Sequence, residues 1–237
     1  MGAHLPCSAR SENQCRELSQ TPAVSQLLSG GNLLKNVNVF LIGGAPGVGK
    51  TTLGCALAAK LKIASVTIDD LMTVAQTVTT PETHPGLHIM RKVPYLDYFT
   101  NSSVDQLKAD TDIQHEATWP FVKNLILKHA TWAPSPIVID GWHLRPSRVA
   151  ELDLDNIWSG WIVISPGVSV EREKKNLNWL QGSSSPERML ENFLARSLWY
   201  NDLIKEQAST LQMTILPQTG NVSVDDLCNM ILKTIEG

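Results

Sequence analysis

The stretch Gly44-Ala45-Pro46-Gly47-Val48-Gly49-Lys50-Thr51 decides the fold. It matches the phosphate-binding pattern G-x-x-x-x-G-K-[ST], follows a short apolar run and precedes an apolar stripe at helical spacing. Backbone N–H groups of such a turn converge on phosphate oxygens, and the next helix directs the positive end of its dipole at the same anion. A glycine-rich turn that merely joins a strand to a helix is the alternative, but the Lys50-Thr51 pair favours phosphate binding.

The loop predicts ATP and Mg²⁺ as cofactors. Lys50 is expected to contact the β- and γ-phosphates and to act in catalysis, and Thr51 is expected to ligate Mg²⁺. The loop after the last predicted strand, with Thr219 and Gly220, is expected to border the adenine through its backbone. The other predicted nucleotide-binding residues are Gly44, Ala45, Pro46, Gly47, Val48, Gly49 and Thr52.

A second apolar run ends in a carboxylate, as expected for the strand that supports the metal beside such a loop. Ile137-Val138-Ile139 leads to Asp140, which we predict to be the second Mg²⁺ ligand. Gly141 stands where a motor ATPase usually has a glutamate that polarises water, and the sequence has neither an Asn-Lys-x-Asp guanine-reading motif nor an ABC-type signature. These absences favour a kinase over a GTPase or a motor protein.

Short apolar runs alternate with longer helical patterns from residue 37 onward, which is typical of a parallel sheet covered on both faces. We predict an α/β, three-layer P-loop NTPase fold with a five-stranded parallel sheet, a helical substrate insertion and a lid. The strands are expected at residues 37–42, 65–68, 137–140, 161–164 and 213–216, and the clearest helices at 50–61, 186–207 and 224–235.

The second predicted strand leads into Asp69-Asp70. A carboxylate at this sheet edge can take a proton from an acceptor hydroxyl or orient that hydroxyl toward the γ-phosphate. Both residues are therefore predicted to be catalytic, and Asp70 also to bind the acceptor. The alternative is a helix N-cap, where Asp is common.

Arginines cluster near a polar segment that is predicted to form a lid at about residues 171–188. Arg172 and Arg188 are predicted to neutralise charge on the transferring phosphoryl group, and Arg196 is a further lid candidate. The alternative is a solvated helix face with Glu–Lys pairs, which we favour for Lys174 and Lys175.

The region from about residue 73 to 128 is too long for a simple connection and is predicted to form the acceptor-binding insertion. The segment just beyond Asp140 is also well placed for an anionic acceptor, although surface charges at a helix start are the alternative for its arginines. The predicted acceptor-binding residues are Asp70, Arg91, Asp140, His143, Arg145 and Arg148.

Composition sets the outer limits of the assignment. The 237 residues are 43% hydrophobic and 18% charged with a net charge of −3, so one α/β domain fits and long nucleic acid is not an expected partner.

The four cysteines form no CxxC pair, which favours reduced thiols and a cytoplasmic location. No apolar stretch is long enough for a membrane span or a signal peptide. We expect a tail or surface helix over residues 1–35 and a kinase domain over 36–237.

The chain resembles the nucleoside monophosphate kinase-like group of P-loop kinases and, within it, 2-phosphoglycerate kinase-like proteins. The resemblance covers roughly residues 37–235, and its acidic position after the third strand, commonly Glu, is Asp140 here. It implies five parallel core strands, an ATP donor and a small hydroxylated acceptor such as a phosphoglycerate. The similar stretches are Gly43-Gly44-Ala45-Pro46-Gly47-Val48-Gly49-Lys50-Thr51-Thr52, Ile68-Asp69-Asp70 and Ile139-Asp140-Gly141-Trp142-His143-Leu144-Arg145-Pro146.

The sequence therefore predicts an ATP-dependent phosphotransferase that acts on a hydroxyl group of a small metabolite, and a phosphorylated or anionic metabolite is a candidate. Two alternatives stay open at this point. One is a nucleotide-sugar or antibiotic kinase of the zeta-toxin or chloramphenicol phosphotransferase type, which would use the same parts. The other is a regulator that binds ATP without turnover and contacts partners through some of its seven tryptophans.

Overall fold

The computed structural model describes residues 37–132 and 135–236. The predicted tail or surface helix over residues 1–35 lies outside these described residues. None of the helices in the described ranges combines the length and apolarity that crossing a bilayer requires.

A five-stranded, all-parallel sheet forms the centre of the fold, with the strands in the order β2-β3-β1-β4-β5. The predicted fold class is confirmed, although β2 ends one residue earlier than expected and β4 begins four residues earlier. The early start of β4 was missed because Ser159-Gly160 interrupts its apolar run. The strands are β1 Val39–Gly44, β2 Ala64–Thr67, β3 Ile137–Asp140, β4 Ile157–Ile164 and β5 Thr214–Gln218.

Helices flank the sheet and build the region beyond its carboxyl edge. Apolar side chains of the strands and of the helices packed on them form one core cluster. A second, smaller cluster around Phe99, Leu107 and Met189 joins the helices Tyr95–Asn101 and Val104–Thr131 to the long helix Pro186–Thr210. The helices are α1 Lys50–Leu61, α2 Ile68–Val78, α3 Tyr95–Asn101, α4 Val104–Thr131, α5 Pro146–Ala150, α6 Pro166–Lys175, α7 Pro186–Thr210 and α8 Val224–Glu236, with 3₁₀ turns at Ile89–Arg91 and Asn178–Leu180.

Strand register brings the ends of three strands together. Asp140 at the end of β3 pairs with Ile42 on β1 and with Thr67 on β2. The start of α2 then passes close to Gly141, where an added Cβ would lie 2.6 Å from the Cβ of Ile68. Only a residue without a side chain allows this approach, which holds the first turn of α2 beside the end of β3.

We expect Gly141→Ala to lower the free energy of unfolding by about 2 kcal/mol, because its methyl group overlaps the buried Ile68 side chain. Gly167→Ala is the matched control, since no heavy atom lies within 4 Å of the Cβ position there. It should stay within about 1 kcal/mol of the wild type. Urea unfolding followed by circular dichroism measures both, and equal stability of the two variants would show that this close approach is not a packing constraint.

Candidate active site

The loop between β1 and α1, residues 45–49, has a backbone conformation that can bind an anion and forms a phosphate cradle. Gly44, Gly47 and Gly49 have φ angles of 140°, 78° and 97°, in the region that favours glycine. Gly49 caps the N-terminus of α1, and no side chain in the described parts of the chain accepts a hydrogen bond from the first turn of that helix. Its free N–H groups and the positive end of the helix dipole therefore favour an anion at this position.

Lys50 lies at the cradle with its ammonium group held by the loop itself. Its Nζ donates a hydrogen bond to the Ala45 carbonyl oxygen over 2.8 Å, and only 8% of the residue is exposed. Burial lowers the pKa of Lys50 to about 8, while the nearby carboxylates of Asp69 and Asp140 oppose this shift. The amine therefore sits in a place where an added negative group would favour its charged form.

Thr51 and Asp140 form the pair of oxygen groups that the sequence predicted for Mg²⁺. The Thr51 hydroxyl donates to Oδ1 of Asp140 over 2.8 Å, and Asp140 is 2% exposed. Burial raises the pKa of Asp140, and the Thr51 hydrogen bond and Lys50 oppose that shift. A hydroxyl and a carboxylate beside a phosphate cradle fit Mg²⁺, which prefers oxygen ligands and takes only one or two from the protein.

The two neighbouring aspartates of α2 have different positions. Both aspartates are exposed, but only Asp69 lines the cavity at the cradle. Consecutive residues on a helix point about 100° apart, so only one of them can face the cleft. Burial raises the pKa of Asp69, an effect that Lys50 opposes and Asp70 reinforces.

One cavity of about 630 Å³ begins at the cradle and runs into the insertion. Its far wall is largely aromatic, which the sequence analysis did not predict. The run Tyr95-Leu96-Asp97-Tyr98-Phe99 and the tryptophan that follows Asp140-Gly141 were the available signals. The lining residues beyond the cradle are Asp69, Gln76, Met90, Arg91, Tyr95, Tyr98, Phe99, Trp142 and Arg196.

Arg196 was a lid candidate, but it lies on α7 in the wall of this cavity and is only 5% exposed. The guanidinium lies 4.6 Å from the ring centroid of Phe99 and 5.0 Å from that of Trp142. Burial lowers the pKa of Arg196 to about 10. Within residues 37–132 and 135–236 no carboxylate pairs with it, and its Nε has no hydrogen-bond partner.

The other predicted lid and insertion arginines occupy three different environments. Arg172 donates from Nη1 to the Val48 carbonyl oxygen over 3.2 Å, so the end of α6 touches the cradle. Arg91 lies at the cavity wall and donates to Oε1 of Gln76 over 2.8 Å. Arg188 is exposed and does not line the cavity.

In the segment after β3, Trp142 lines the cavity, whereas the predicted acceptor-binding residues His143, Arg145 and Arg148 do not. Arg145 pairs with Asp112 over 2.6 Å, and Arg148 pairs with Glu116 and with Glu151. His143 is buried, both of its ring nitrogens lack hydrogen-bond partners among the described residues, and burial lowers its pKa to about 3. Asp112 and Glu116 on α4 are the acidic partners that the sequence could not place beside the two arginines.

The loop after β5 is closed by its own side chains. Gln218 accepts from the backbone N–H of Gly220 over 3.0 Å and donates to the Val222 carbonyl oxygen over 3.2 Å. Thr219 and Gly220 follow the carboxyl end of the strand without lining the cavity. Their contact with adenine stays a prediction.

Comparison with known proteins supports a fold but no particular substrate or reaction. No protein-family model matches the chain, and no curated protein matches it. A gluconokinase from Sinorhizobium meliloti 1021 is similar at 15% identity and a TM-score of 0.50, over 84% of this chain and 92% of that chain. Shikimate kinase from Acinetobacter baumannii in complex with shikimate is similar at 17% identity and a TM-score of 0.47, over 86% and 94%. The chain has the fold of P-loop kinases.

The unpaired charge of Arg196 should reduce stability. We expect Arg196→Met to raise the free energy of unfolding by about 1 kcal/mol, because a flexible apolar side chain keeps the contacts with the aromatic rings and removes a buried charge that lacks a counterion. Arg145→Met is the matched control and should lower it by about 1 to 2 kcal/mol, because Arg145 is paired with Asp112 and with His115. Denaturant unfolding measures both variants. Destabilisation by Arg196→Met equal to that of the control would mean that Arg196 is a structural residue.

Proposed function

We propose that this protein is a kinase that transfers the γ-phosphoryl group of Mg²⁺·ATP to a hydroxyl group of a small anionic metabolite. The observation that carries this proposal is the continuity of one cavity. The same cavity holds the phosphate cradle at one end, Arg196 and an aromatic wall at the other, and Asp69 beside the cradle. A donor and an acceptor bound in it would be in contact with each other.

The cradle supports the donor side of the proposal. Backbone N–H groups of the loop and the first turn of α1 would bind the phosphate oxygens, and Lys50 would contact the β- and γ-phosphates. Thr51 and Asp140 would hold Mg²⁺, which supplies neutralisation of phosphate charge when it is bound. Arg172, on the segment that touches the cradle, is proposed to add positive charge near the transferring group.

Asp69 is proposed to act on the acceptor hydroxyl. The hydroxyl oxygen attacks the γ-phosphorus, its proton passes to the Asp69 carboxylate, and the bond from the γ-phosphorus to the bridging oxygen breaks to leave ADP. A raised pKa suits this role, because a carboxylate with a higher pKa is a stronger base. Phosphoryl transfer otherwise depends on positioning, which the two ends of the cavity would provide.

Arg196 supports an anionic acceptor. A buried guanidinium without a carboxylate partner is costly, and a carboxylate or phosphate on the acceptor would supply the missing charge. The surrounding Tyr98, Phe99 and Trp142 side chains offer apolar contact for the body of the acceptor. A phosphoglycerate is one acceptor with the required hydroxyl group and negative charge.

A broad screen of hydroxylated acids and phosphorylated hydroxy compounds with Mg²⁺·ATP tests the function directly, with ADP formation and phosphorylated product as readouts. With an acceptor in hand, Asp69→Asn should lower kcat by about 10²- to 10⁴-fold while ATP still binds, because the proton acceptor is lost and the cradle is intact. Asp70→Asn is the control, and it should change kcat by less than about threefold because its side chain does not line the cavity.

Two results would contradict these assignments. Equal loss of activity in both aspartate variants would remove the special role of Asp69. ATP binding without turnover of any acceptor would instead favour a nucleotide-binding regulator.

Replacing Arg196 tests the acceptor end separately from the donor end. We expect Arg196→Met to raise KM for an anionic acceptor by about 10²-fold, because a charge-assisted hydrogen bond is lost, and to leave the KM for ATP nearly unchanged. Arg196→Lys keeps the charge without the planar fork of donors and should recover only part of the loss. Equal effects of Arg196→Met on both substrates would place Arg196 outside the acceptor site.

A further inference from the structure

Glu173 lies on α6 against the phosphate cradle. Its Oε1 is 2.5 Å from the position that a Cβ atom would take on Gly47. Gly47 is one of the loop residues with a positive φ angle, at 78°. A carboxylate oxygen therefore touches the loop whose backbone would bind phosphate.

Arg172, the neighbour of Glu173 on α6, contacts the same loop. Arg172 donates to the Val48 carbonyl oxygen over 3.2 Å, so two consecutive residues of α6 contact two consecutive residues of the loop. Glu173 is also close to Tyr95, whose ring lines the cavity. The pKa of Tyr95 is raised by burial and, to a smaller extent, by the charge of Glu173.

The carboxylate of Glu173 is poorly compensated. Among the described residues no lysine or arginine nitrogen lies within 4.0 Å of it. Burial raises the pKa of Glu173, while the Trp179 side chain opposes this shift. A second negative group brought to the cradle would be repelled by this charge, because two like charges in a partly desolvated site interact more strongly than in water.

We infer that Glu173 sets the nucleotide affinity of the protein by opposing the negative charge of the bound phosphates. The inference rests on the proposed function, since it takes the cradle to be a nucleotide site. Its effect grows with the negative charge of the nucleotide, so it weakens ATP more than ADP. Glu173 is thus an affinity-determining residue on the segment that carries the proposed catalytic Arg172.

The test compares Glu173→Gln with Glu171→Gln. Both variants remove one negative charge from α6, but Glu171 is exposed and has no contact with the cradle glycines. Isothermal titration calorimetry with Mg²⁺·ATP and Mg²⁺·ADP gives the dissociation constants at low and at high salt. Circular dichroism and thermal unfolding establish that each variant is folded.

We expect Glu173→Gln to bind Mg²⁺·ATP roughly fivefold more tightly than the wild type, with a smaller gain for Mg²⁺·ADP. The gain should shrink at high salt because repulsion between partly exposed charges is screened. Glu171→Gln should bind both nucleotides within about twofold of the wild type. This pattern supports the inference.

Two other patterns would overturn it. If Glu173→Gln binds ATP no better than Glu171→Gln, or binds it more weakly, Glu173 does not repel the phosphates, while the proposed kinase function still stands on the binding of the wild type. If neither the wild type nor any variant binds ATP or ADP, the cradle is not a nucleotide site and the proposed function fails together with this inference.

Discussion

The hydrogen bond from the Thr51 hydroxyl to the Asp140 carboxylate joins the phosphate loop to the neighbouring strand, and the site is arranged around it. The register of the sheet sets Asp140 between the ends of β1 and β2. Gly54 on α1 leaves room for the carboxylate, since an added Cβ would lie 3.2 Å from its Oδ2. Gly141 then lets α2 approach closely enough for Asp69 to influence the pKa of Lys50. Gly54 and Gly141 therefore allow the side chains of Asp140, Asp69 and Lys50 to lie close together.

Local chemistry explains which parts of the fold the sequence could predict. The turn from Gly44 to Thr51 sets its own geometry through glycine backbone angles, and α1 begins and ends where predicted. Buried parallel strands appear as continuous apolar runs, so all five were found, with errors at their ends. Ser159-Gly160 looked like the end of an apolar run, but Gly160 lies within β4 and makes room for a packed side chain. The ring of Trp158 lies over Gly160, with Cη2 2.5 Å from the Cβ position.

The acceptor end was harder to predict because an arginine has no fixed role until its partners are known. Arg145 and Arg148 were close in sequence to Asp140, yet α4 brings Asp112 and Glu116 to them and binds both in ion pairs. Arg196 was 56 residues away from Asp140 along the chain, yet α7 carries it to the cavity, where no acidic partner of the described ranges pairs with it. Long-range pairing of charges decides these roles, and single-sequence patterns do not contain it.

Arg196 lines the cavity and Glu173 contacts the cradle, and within the described part of the chain neither has an ion-pair partner of the opposite sign. Arg196 is buried in the wall that carries the aromatic side chains, and Glu173 rests on the cradle. Folding alone would favour pairing or neutralising both charges, because an uncompensated charge in a partly desolvated site reduces stability. Their positions suit a site in which an anionic acceptor is attracted at one end and a highly charged nucleotide is held less tightly at the other.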